Sequence, residues 1–80
     1  MNADHLIEMA NQIGAFFESL PDRDEALKGI AEHIRRFWEP RMRRTLLAAL
    51  EGGEAMGFSP IVFAALTKHR DSLVPAAAAA

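Results

Sequence analysis

Apolar residues recur along the chain at three- and four-residue spacings, in four stretches separated by prolines and glycines. In the first, Leu6, Met9, Ala10, Ile13, Phe16, Phe17 and Leu20 form one broad apolar face, which predicts a helix from about Asp4 to Glu18. Asn2 or Asp4 can cap its start. Gly14 lies inside the pattern, where glycine costs about 1 kcal/mol relative to alanine but permits close approach of a crossing helix. Adjacent Phe16 and Phe17 diverge by about 100° around a helix. Both cannot face one core, so one of them belongs at an edge or an interface.

Ser19-Leu20-Pro21 stops the first helix, and a second is predicted from Asp22 to Phe37. Asp22, Asp24 and Glu25 gather at its start, where negative charge is favourable. Its stripe is Ala26, Leu27, Ile30, Ala31, Ile34 and then Phe37 or Trp38. A third helix opens at Pro40, with Met42, Leu46, Ala49 and Leu50 on one side, and ends at Gly52-Gly53. Residues 52–58 read as a glycine-rich loop anchored by Met56 and Phe58. Ser59-Pro60 opens the fourth helix, an N-cap followed by proline at the first helical position. Ile61, Val62, Ala65, Leu66, His69 and Leu73 mark its buried side, and Val74-Pro75 closes it. No strand period competes, so the expected fold is all-α, a small bundle of about four short helices. Residues 1–75 form its single domain. Ala76–Ala80 is expected to be a disordered alanine tail, too short for an isolated helix.

The stretch from Ile34 to Arg44 joins the second and third helices, and the rest of the pattern reads as its scaffold. Arg35 and Arg36 end one helix, where cations oppose the negative end of the macrodipole. Pro40 suits the first turn of the next, because its missing N–H would have had no intrahelical partner. Proline also pushes Glu39 out of the α region, so the chain must bend at Trp38-Glu39. The result is a corner that holds five of the nine basic residues and the only tryptophan.

Charge sharpens this picture. The net charge of the chain is −2, but residues 1–34 carry seven acids against Arg23 and Lys28, whereas residues 35–44 carry five arginines against Glu39. Eighty residues place the chain where a single core is marginal and a partner can add stability. Half of the residues are hydrophobic, too many for a disordered chain. With no cysteine, neither a disulfide framework nor a thiolate metal site can form. The amino terminus lacks the pattern of a secretory signal. No apolar run approaches the roughly 20 residues that span a bilayer. A soluble, cytoplasmic protein is expected.

Candidate chemistry is sparse. His5, His33 and His69 fall on three different predicted helices. His5 and Glu8 are one turn apart, yet no second Glu-x-x-His pair exists of the kind di-iron bundles use. Ser19, Ser59 and Ser72 sit at helix ends and suit caps. Gly52-Gly53-Glu54-Ala55-Met56-Gly57 matches neither a P-loop nor a dinucleotide fingerprint. The corner remains. Arginine and tryptophan are enriched at the energetic centres of interfaces. The competing reading is that Trp38 caps this protein's own core and the arginines are a solvated face. Nucleic-acid binding fits poorly, because the chain is acidic overall and its third helix turns quickly to Leu-Leu-Ala-Ala-Leu instead of base-reading side chains. Asn11-Gln12, mid-helix, either face water or hydrogen-bond a partner.

Met9-Ala10-Asn11-Gln12-Ile13-Gly14, Phe16-Phe17, Pro21-Asp22-Arg23 and the run His33-Ile34-Arg35-Arg36-Phe37-Trp38-Glu39-Pro40-Arg41-Met42-Arg43-Arg44 together resemble the delta subunit of cytoplasmic NAD-dependent formate dehydrogenases. These are multi-subunit, molybdenum- or tungsten-containing enzymes. The resemblance covers most of residues 5–50 and continues more loosely through Ser59-Pro60 and the last helix. It implies a small accessory subunit that is not itself an enzyme. The pterin-bound metal and iron–sulfur clusters would lie in the alpha subunit, and the flavin path to NAD in the beta and gamma subunits. This chain is then expected to bind no cofactor and to dock on the catalytic alpha subunit, supporting assembly or stability. Neither nucleic acid nor a membrane is an expected partner. The expected contact residues are Asn11, Gln12, Phe17, Arg35, Arg36, Phe37, Trp38, Pro40, Arg41, Arg43 and Arg44. One alternative is a transient chaperone for insertion of the molybdenum cofactor into the apo-enzyme; a remote one is a nucleic-acid-binding helical module.

Overall fold

A computed structural model describes residues 2–75. It contains five helices: α1 (Ala3–Phe17), α2 (Arg23–Phe37), α3 (Pro40–Glu51), α4 (Pro60–Lys68) and α5 (Arg70–Leu73), with a 3₁₀ turn at Ala55–Gly57. The described residues contain no strand, and the fold is all-α. The alanine tail lies outside the described residues.

The helix starts follow from local chemistry. Asn2 accepts a hydrogen bond from the Asp4 backbone N–H at 2.8 Å, and Asp22 accepts one from Glu25 at 3.3 Å, each satisfying a donor with no intrahelical partner. Glu39 and Ser59 are extended, as residues before proline must be, and α3 and α4 begin at Pro40 and Pro60.

All five helices feed one apolar core. Ile30, Ile34, Leu46, Val62, Leu66 and Leu73 are its largest fully enclosed side chains. α2 packs most extensively against α4 and also against α1 and α5, so it forms the centre of the bundle. Gly14 is buried where α1 meets α4. A Cβ there would lie 2.4 Å from Cγ2 of Val62, so the two helices approach as closely as they do only because α1 has glycine at that point.

Two expectations are corrected. The fourth helix does not run unbroken to Leu73: at His69 (φ −109°, ψ 24°) the backbone leaves the helix and α5 begins one residue later. The carbonyl of His69 accepts both the Ser72 hydroxyl (2.8 Å) and its N–H (3.1 Å), which starts a new turn. Of the two expected loop anchors, only Phe58 is buried; Met56 is 97% exposed, because the 3₁₀ turn directs it to solvent.

Candidate docking surface

At the corner, the Trp38 N–H closes α2 on the carbonyl of Ile34 at 2.9 Å, and its own backbone is extended (φ −96°, ψ 136°). The change of conformation takes Trp38 off the helical period and turns its indole inward. It is 6% exposed and belongs to the core, whereas Phe37 is 71% exposed. The expectation that Trp38 is a contact residue is therefore corrected. Trp38 seals the bundle, and Phe37 is the corner's outward aromatic.

The five corner arginines divide. Arg35, Arg36, Arg41 and Arg44 are exposed, as is Pro40, and none of these arginines joins an ion pair among the described residues. Arg43 is half-buried; one terminal nitrogen reaches the Leu73 carbonyl at 3.5 Å, and its buried Nε has no partner. It lies against α5 and is the least available of the five.

Asn11 is also committed within the chain. Its Nδ2 donates to the carbonyl of Gly57 at 3.0 Å, and its Oδ1 accepts the N–H of Ser59 at 2.9 Å. One amide thus clamps the 52–58 loop and the start of α4 to α1, so both ends of this expected contact residue are engaged within the chain. Gln12, its neighbour, is exposed.

The structure brings Phe37 into contact with residues that the corner alone does not contain. Its ring lies 5.0 Å from that of His33, tilted by 47°. His33 in turn lines a cleft of about 280 Å³ between α1 and α2, whose other walls are Ile13, Phe16 and Phe17. Phe17 is half-buried over Gly29, where an added Cβ would meet its ring at 2.5 Å. Phe16 stacks edge-to-face on Phe17, with centroids 5.2 Å apart, and is 73% exposed. Of the two adjacent phenylalanines, Phe16 is thus the outward one. Ile13, Phe16 and His33 were not among the sequence-derived contacts, although the divergence of Phe16 from Phe17 was the signal for one of them.

A second cleft, of about 480 Å³, is lined by Asp4, Ile7, Glu8, Asn11, Glu54 and Gly57. Its three carboxylates have no cation among them; His5, beside it, approaches Glu8 at 3.9 Å on the surface. Among the described residues, no three His, Asp or Glu side chains gather as a metal site would require. No helix among the described residues is long and apolar enough to cross a membrane. What the surface offers is contact: aromatic rings, an apolar cleft and unpaired guanidinium groups.

No curated protein and no solved structure matches the chain. A family model described as the NADH-dependent formate dehydrogenase delta subunit, FdsD, matches residues 5–66, which take in most of α1, all of α2 and α3 and most of α4. The chain belongs to the formate dehydrogenase delta-subunit family.

Proposed function

We propose that this chain is a non-catalytic accessory subunit that docks on the catalytic alpha subunit of a cytoplasmic, molybdenum- or tungsten-containing, NAD-dependent formate dehydrogenase and supports its assembly or stability. Family membership supports the assignment to the complex. The observation that carries the docking role is the corner, where four exposed arginines with no ion pair among the described residues flank an exposed Phe37 along the chain. Such groups contribute nothing to this chain's own core, and they are the residue types that supply binding energy at interfaces. In this reading the chain binds neither NAD, flavin nor metal, and the chemistry resides in the other subunits.

Co-purification from native cells at gentle salt tests the role. A subunit stays stoichiometric with the active enzyme, whereas a cofactor-insertion chaperone is found only with apo-enzyme. Equilibrium dialysis of the isolated chain against NAD, flavin, zinc and iron should give no stoichiometric binding. Tight uptake of any of them would overturn the non-catalytic assignment.

A further inference from the structure

The α1–α2 cleft and the arginine corner are continuous through one pair of rings. Ile13, Phe16, Phe17 and His33 line the cleft, and Phe37, stacked on His33, carries the apolar surface to the end of α2. There Arg35 and Arg36 project, with Arg41 and Arg44 beyond the bend. A lone exposed phenylalanine needs no explanation. Two phenylalanines are more than 70% exposed, Phe16 in the cleft wall and Phe37 against His33. Phe37 is preceded and followed in the chain by four exposed arginines with no ion pair among the described residues, which gives the surface a direction. We propose that this surface receives an amphipathic helical segment of the dehydrogenase partner, with apolar side chains on the cleft and carboxylates at the end that meets the arginines; this rests on the accessory-subunit reading above.

Charge decides the choice of occupant. A second copy of this chain, laid antiparallel, would have to neutralise the corner with the opposite end of the same face, where α1 ends and α2 begins. Glu18, Asp22, Asp24 and Glu25 are there, but Arg23 and Lys28 lie among them, and Asp24 is already paired with Lys68 at 3.1 Å. These four acids and three bases leave one net negative charge against a corner that residues 35–44 make net +4. In that antiparallel arrangement a copy of the chain thus brings little net negative charge to the corner. Complementary potentials fix partner and register at interfaces, so the occupant brings more carboxylates to the corner than that end of this face does. Helix-in-groove docking reads such partners as apolar anchors along one face of the docked helix.

The absence of cysteine makes a direct test simple. A Gln12→Cys chain, labelled with a maleimide–benzophenone, places a photo-crosslinker one turn before Phe16 on the same face. Illuminated with purified dehydrogenase complex assembled without this chain, it should capture a dehydrogenase peptide with Asp or Glu within one helical turn of its apolar residues. Capture of a second copy of this chain, or of a peptide without carboxylates, would overturn the proposal. In parallel, full-length Phe16→Ser/Phe37→Ser should melt as the parent does, because both side chains are exposed, yet bind the same complex at least tenfold more weakly. If the parent chain binds and the double variant binds equally well, the cleft is excluded while the accessory-subunit reading stands. If the parent chain does not bind the complex at all, both fail.

Discussion

Two glycines on neighbouring helices show how context sets the outcome of one substitution. At Gly14 a new Cβ would meet Cγ2 of Val62 at 2.4 Å and Cγ2 of Ile61 at 3.2 Å, both on buried residues of α4. At Gly29 it would meet only the ring of Phe17 at 2.5 Å, and that ring is half-exposed and can swing aside. Overpacking of a core costs typically about 1–3 kcal/mol, while replacing a mid-helix glycine by alanine returns about 1 kcal/mol of helix propensity. Gly14→Ala should therefore lower stability by up to about 2 kcal/mol, with a Tm change of about 4–8 °C per kcal/mol in a domain of this size. Gly29→Ala should leave Tm nearly unchanged and instead displace Phe17 from the cleft wall. Thermal unfolding of the two variants side by side checks the contrast. Because its indole is buried, Trp38→Ala should destabilise the isolated chain by about 3–5 kcal/mol, enough to threaten folding of so small a domain. An unchanged Tm would contradict its place in the core.

Among the elements, the 52–58 loop depends on α1 for its position. Asn11 supplies both hydrogen bonds that fix it, to Gly57 and Ser59. Asn11→Ala should cost about 1–2 kcal/mol, at roughly 1 kcal/mol per net hydrogen bond. Amide hydrogen exchange should then speed up at Ser59 before it changes in α2. The starts of α1, α2 and α3 were legible in the sequence to within one residue, because Asn2, Asp22 and Pro40 act through chemistry that is local to each helix end. The break at His69 was not. No glycine or proline marks it, and the apolar period runs on to Leu73; a carbonyl shared by two Ser72 donors leaves no trace in hydropathy. Nor did the period tell which of Phe37 and Trp38 turns inward, since the backbone leaves the helix between them. The Asn11 clamp joins residues 46 and 48 positions apart. A side-chain pattern can place Asn11 on a helix but not name a partner that distant. The Phe16–His33 cleft was half legible: the sequence required one outward phenylalanine, and only the α1–α2 packing supplied His33.

For the whole molecule, charge and apolar surface are arranged for two different tasks. The core uses aliphatic side chains with Trp38 and Phe58, and none of its members is charged. The ion pairs it carries on the surface, Lys68–Asp24 and Arg70–Glu51, are solvent-exposed and worth about 0–1 kcal/mol each. The arginines at 35, 36, 41 and 44 stand outside even these. Arg35→Glu/Arg36→Glu reverses two cations in the last turn of α2 and should lower stability by about 1–2 kcal/mol, leaving the chain folded while reducing its association with the dehydrogenase. The effect should weaken as salt is raised towards 1 M, where the Debye length falls to about 3 Å. If this chain is a stoichiometric subunit docked through that corner, native mass spectrometry of the active dehydrogenase from cells will show it. With the parent chain, each catalytic subunit should carry one copy; with Arg35→Glu/Arg36→Glu in its place, the active complex should lose it. Active complex that lacks the parent chain, or that keeps the arginine variant at full occupancy, would contradict the account.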